Sequence, residues 1–162
     1  MRIAFRPDEI LAIACHLEEE GARFYRRAAD ATPDPATADL LGELAEMEEE
    51  HLETFERAEQ GIWGGAAEES AFDAEVALRY LRAVSQGKVV DLTGDLCARL
   101  RGCTTPESIL RAAIEIEKDS VVLYAGIQAM ASGRPGWHVA QSIMLEEMEH
   151  IASLSERLES LA

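Results

Sequence analysis

The chain has 162 residues, 48% of them apolar, with 31 Asp plus Glu against 15 Lys plus Arg and a formal charge of −16. That length suits one domain with a core of its own, and the apolar share excludes a disordered chain. The acidic excess excludes a basic nucleic-acid footprint and a polybasic membrane anchor. Cys15, Cys97 and Cys103 show no Cys-x-x-Cys spacing, so neither a disulfide framework nor a zinc knuckle is expected. No apolar run approaches the roughly 18 residues of a membrane helix, and Met1 to Arg6 is too short for a signal peptide. These features predict a soluble cytoplasmic protein with no nucleic-acid or membrane partner.

The first helix is predicted from Pro7 or Asp8 to about Asp30, because Leu11, Ala14, Leu17, Ala22 and Tyr25 recur at three- and four-residue intervals. Thr32-Pro33-Asp34-Pro35 breaks it and starts a second helix, with Asp34 as N-cap and Pro35 as first helical residue. This second helix carries Leu41, Leu44, Glu48, His51, Leu52 and Phe55 on one face and stops near Gly61. The next 45 or so residues are too long for a bare loop in a compact domain. Asp73 could cap a short helix holding Val76, Tyr80, Leu81 and Val84, and Leu96 with Leu100 predicts another turn or two. No alternating strand stands out, although Lys88-Val89-Val90 is too short to judge.

A third long helix begins at Thr105-Pro106-Glu107, carries Leu110, Ala113, Ile114, Glu117, Val121 and Tyr124, and ends near Ser132-Gly133. The fourth runs from about Trp137 to the C-terminus through Ile143, Glu147, His150, Ile151, Leu154 and Leu158. The predicted architecture is a single all-α domain. It consists of a helix pair over residues 7–61, a crossover over 62–104 containing short helices, and a second helix pair over 105–162.

The two pairs are copies of one pattern. Adding 99 to Pro7, Leu11, Ala14, Glu18 and Tyr25 gives Pro106, Leu110, Ala113, Glu117 and Tyr124. The same shift takes Leu44, Glu48, His51 and Phe55 to Ile143, Glu147, His150 and Leu154 without a gap. Each half therefore reads as Glu, then Tyr, then Glu-x-x-His. Residues three apart share a helix face, so each Glu-x-x-His presents a carboxylate and an imidazole to one point. Glu18 and Glu117 also stand on apolar faces, where an uncompensated carboxylate costs several kcal/mol. Two divalent cations would cancel four carboxylates, with two neutral imidazoles adding no charge. The other helical acids, Glu19, Glu20, Glu46, Glu49, Glu50, Glu146 and Glu149, are expected on solvated faces. His16 and His138 have no repeat mate and are given no role.

At these residues the chain resembles the rubrerythrin-like branch of the ferritin-like superfamily, across both motif-bearing halves. That family's pattern is one Glu from each of two helices plus Glu-x-x-His from the other two. The resemblance implies a ferritin-like four-helix bundle with a long crossover between its second and third helices. It further implies two iron ions, with Mn or Zn as possible substitutes. Glu18 and Glu117 would be terminal ligands, Glu48 and Glu147 bridging ligands, and His51 and His150 imidazole ligands. Tyr25 and Tyr124 would touch the ligands rather than the ions. Rubrerythrins of the peroxidase type carry a further Glu one turn after the third-helix ligand, where this chain has Ser120. No counterpart of their rubredoxin module, with its cysteines, is expected.

The implied activity is a non-haem di-iron oxidoreductase, peroxidase- or ferroxidase-like, reacting with hydrogen peroxide or dioxygen. It would draw electrons from an external donor protein and work as a homodimer. The alternatives are an iron-storage or ferroxidase subunit, and a non-enzymatic metal-binding bundle. In the metal-free protein, burial and mutual repulsion are expected to raise the carboxylate pKa values.

Overall fold

A computed structural model describes residues 7–59, 74–85, 95–131 and 136–162. Its long helices are α1 (Pro7–Ala31), α2 (Pro35–Glu59), α4 (Pro106–Met130) and α5 (Gly136–Glu159). The shorter α3 (Ala74–Ser85) and a 3-10 turn at Leu96–Leu100 lie between the two pairs. No strand occurs among the described residues. The expected cap at Asp73, the Lys88-Val89-Val90 segment and the helix ends at Gly61 and Ser132-Gly133 fall outside them. None of the described helices is long and apolar enough to cross a membrane.

Local chemistry sets the helix starts where the sequence placed them. Asp34 caps α2 by accepting from the Thr37 backbone N–H at 2.8 Å and the Thr37 hydroxyl at 2.6 Å. The Arg157 guanidinium, near the end of α5, donates to the same carboxylate and to Thr37 Oγ1. The Thr37 and Arg157 hydrogen bonds hold the Asp34 carboxyl down at about 2. Thr105 caps α4 in a reciprocal box with Ser108, and Pro106 fills the first turn, where a missing N–H costs nothing.

The three-residue connection from α1 to α2 folds them into an antiparallel hairpin, and α4 with α5 forms its counterpart. Leu11, Ala14, Leu17, Leu41, Leu44 and Phe55 from one hairpin meet Leu110, Ala113, Ile143 and Leu154 from the other in one core. Burial of these side chains supplies the main drive for folding, about 1.5–3 kcal/mol for each large one. Leu52, Ile114, Val121 and Ile151, also expected in the core, are only half-buried at its margin.

The segment α3 packs on the outside of α4. Leu81 and Val84 are buried, whereas Val76 and Tyr80 are exposed along one side, and the Tyr80 hydroxyl donates to the Val122 carbonyl at 2.5 Å. Gly126 permits this approach, because a Cβ there would stand 2.6 Å from Leu81 and 2.7 Å from the Tyr80 ring. Overpacking from Gly126→Ala costs about 1–3 kcal/mol, offset by about 1 kcal/mol of helix propensity. The expected outcome is a small change in global stability with clearly faster amide exchange across 74–85, read by hydrogen-exchange mass spectrometry.

Candidate metal centre

The six residues singled out by the repeat meet midway along the bundle. Glu18 and Glu117, on α1 and α4, are 1% and 0% exposed, and Glu147 is 0% exposed. Glu48, His51 and His150 are buried as well. Two overlapping tetrads result, Glu18–Glu48–His51–Glu147 and Glu48–Glu117–Glu147–His150, with potential ligand atoms within 4.8 Å of one another in each. Glu48 and Glu147 belong to both tetrads, whereas the other four residues belong to one each.

The pseudo-twofold symmetry extends to the contacts. His51 turns Nδ1 toward Glu147, Glu18 and Glu48 at 3.3, 3.4 and 3.9 Å. His150 turns Nδ1 toward Glu147, Glu117 and Glu48 at 3.1, 3.4 and 3.6 Å. The two imidazoles stack with centroids 5.6 Å apart. Tyr25 and Tyr124, both fully buried, each reach across to the other hairpin. The Tyr25 hydroxyl donates to Glu117 and the Tyr124 hydroxyl donates to Glu18. Glu18 and Glu117 are thus each aimed by a phenol from the opposite repeat.

The donor set fits cations. Glu18 Oε2, Glu117 Oε2, both oxygens of Glu147 and the Nδ1 atoms of His51 and His150 are buried and lack hydrogen-bond geometry to any partner. So many convergent, unsatisfied polar atoms would be costly as a purely structural core. Oxygen and nitrogen donors without thiolate suit iron or manganese better than a thiolate-built structural zinc site.

Protonation shows how the cluster is held without ions. Burial pushes Glu18 well up, aided by the Glu48 charge, and burial with the Glu147 and Glu48 charges does the same to Glu117. Glu48 moves the other way: burial would raise it, but its contacts with Glu18, His150 and His51 bring it to about 2. This corrects the expectation that the metal-free carboxylates rise together. Burial alone would also depress His150, yet contacts with Glu117, Glu147 and Glu48 carry it up to about 12. His51 is raised likewise, its burial outweighed by Glu147, Glu18 and Glu48. Without ions both imidazoles thus favour the cationic form, whereas the charge count for a metal-filled cluster takes them as neutral.

Three further placements qualify the sequence reading. Glu20, expected in solvent, is buried, with Arg23 one turn along α1 meeting its carboxylate at 2.8 Å. Glu19, Glu46, Glu50, Glu146 and Glu149 are exposed, while Glu49 is half-buried and paired with Arg26. Ser120 is buried and returns its hydroxyl to the Ile116 carbonyl at 3.3 Å, so it adds no carboxylate to the cluster. Its repeat mate Gly21 brings α1 against Glu48, where a Cβ would lie 3.2 Å from Oε2. A groove of about 380 Å³ reaches the outer edge of His51, lined by Glu50, Thr54, His138, Ser142 and Glu146. The sequence reading missed Glu146, which lies one residue before Glu147 and contacts His51 Nε2 at 3.2 Å.

Known proteins place this architecture. A crystal structure of a protein from Thermotoga maritima, described as a ferritin-like diiron-carboxylate protein, superposes with a TM-score of 0.64 at 25% identity over 100% of both chains. No curated protein is significantly similar in sequence. The family model for the ferritin-like domain matches residues 8–160, almost the whole chain and both halves of the site. The chain belongs to the ferritin-like domain family.

Proposed function

We propose that this protein is a non-haem di-iron oxidoreductase of the rubrerythrin-like kind, whose reduced site reacts with hydrogen peroxide or dioxygen. The observation that carries this reading is the pair of buried tetrads sharing Glu48 and Glu147. The diiron-carboxylate description of the Thermotoga relative supports iron as the metal. In this reading Glu18 and His51 would hold one ion, Glu117 and His150 would hold the other, and Glu48 with Glu147, common to both tetrads, would contribute to each. An iron pair bound there would supply one electron per ion and Lewis acidity toward the oxidant.

The chain's own residues supply the rest. The carboxylate shell offsets the charge of both the ferrous and ferric pairs, and the tyrosine hydrogen bonds fix the terminal carboxylates in place. Burial keeps bulk water away, while the groove of about 380 Å³ beside His51 would admit a diatomic oxidant or peroxide to the cluster's edge. Reduction of peroxide to two waters consumes two electrons and two protons. We propose a separate donor protein to restore the electrons. A homodimer is also proposed, supported by the exposed apolar side chains of Met47, Leu145 and Met148 on α2 and α5.

Rapid mixing of the di-ferrous protein with peroxide, and separately with dioxygen, tests the activity. Oxidation much faster than that of free ferrous ion in the same buffer is expected with at least one of them. Equal rates with both would defeat the enzymatic reading.

A further inference from the structure

The two halves of the centre match except behind the imidazoles. An imidazole that gives Nδ1 to a cation must carry its proton on Nε2, so the partner of Nε2 bears on the ligand's donor strength. His51 Nε2 lies 3.2 Å from the Glu146 carboxylate. His150 Nε2 lies 3.2 Å from the Met47 sulfur. These partners occupy equivalent places, since Met47 shifted by 99 is position 146. The repeat thus keeps the geometry and changes the chemistry.

The difference has a definite direction. A carboxylate accepts the Nε2 proton in a charge-assisted hydrogen bond, whereas a thioether is a weak acceptor. Carboxylate backing fixes the ring and strengthens its inner nitrogen as a donor, and loss of such a partner typically costs 10–100-fold in metal affinity. Glu146 is itself held, because Ser142 donates to its other oxygen at 3.1 Å. We propose that the two ion positions are inequivalent, that the one built on Glu18 and His51 fills first and more tightly, and that Glu146 is the positioning residue responsible.

This inference rests on the dimetal reading, and a titration of the full chain with Co(II) separates the two. Isothermal calorimetry of the wild type should show two resolved steps. NMR of ring-labelled histidine should show the first equivalent broadening His51 before His150. E146M should weaken the first step about 10–100-fold and merge it with the second, whereas E146Q, which keeps an acceptor, should fall between. M47E should tighten the second step. In the double exchange M47E/E146M the first equivalent should broaden His150 instead, an inversion that general destabilisation would not produce. Unchanged steps in E146M, or first broadening of both rings equally in the wild type, would overturn the inference and leave the dimetal reading intact. Fewer than two Co(II) bound by the wild type would overturn both.

Discussion

Replacing Glu147 with alanine should empty both ion positions together, whereas replacing Glu117 should damage only one. The reason lies in the overlap of the two tetrads, which share Glu48 and Glu147 and nothing else. A shared carboxylate contributes to the binding of each ion and offsets the repulsion between them. Glu147→Ala or Glu48→Ala is expected to lower retained metal by at least about tenfold after dialysis, measured by elemental analysis. Glu117→Ala and Glu18→Ala should each retain about one ion per chain, and Glu19→Ala, on the exposed face of α1, should match the wild type. Equal loss from Glu147→Ala and Glu19→Ala would show that the buried cluster does not hold the metal.

The second large effect is the pH dependence of the metal-free protein. Glu18 and Glu117 lie above their usual 4.5, and the histidines above 6.5 with His150 near 12, so the native state holds extra protons. Their stabilisation is complete below the unfolded values and is lost as pH rises through the raised native ones. Glu48, lowered to about 2, acts oppositely: its contribution is present above 4.5 and disappears only in strong acid. Metal-free stability should therefore fall steadily from about pH 5 upward. Cations take the places of up to four protons, those on Glu18, Glu117, His51 and His150, so apparent metal affinity should rise with pH. At a hundred times Kd, bound metal adds about 2.7 kcal/mol, which for a domain of this size raises Tm by roughly 5–10 °C. Calorimetric scans with and without Fe(II) or Mn(II) from pH 5 to 9 check both slopes. Coincident melting at neutral pH would count decisively against the site.

Much of this was legible in the chain because duplication turned isolated residues into a constraint. Any single Glu-x-x-His is weak in so acidic a protein; two of them at one fixed offset, each preceded by a Glu on an apolar face, predict convergence. The caps at Asp34 and Thr105 were legible for a simpler reason, since capping is local chemistry written within four residues. What was not legible lies across space. Tyr25 and Tyr124 share helices with Glu18 and Glu117, yet each serves the carboxylate of the other hairpin. Glu20 was misplaced because burial is set by packing against neighbouring elements, with Arg23 close enough to compensate it. Glu146 looked like one of many exposed acids, and only the rotation of the His51 ring reveals that it faces a nitrogen. The opposite shifts of Glu18 and Glu48 were missed because counting residues cannot say where protons settle among coupled groups.

Two separate identical hairpins associating about a true axis would carry the same side chain at each symmetry-related place. Joining them in a single polypeptide removes that obligation, so positions 47 and 146 became free to diverge while the shared framework stayed matched. The covalent crossover therefore does more than connect two halves: it would permit one ion position to be set apart from its twin, an option closed to any strictly symmetric pair of hairpins.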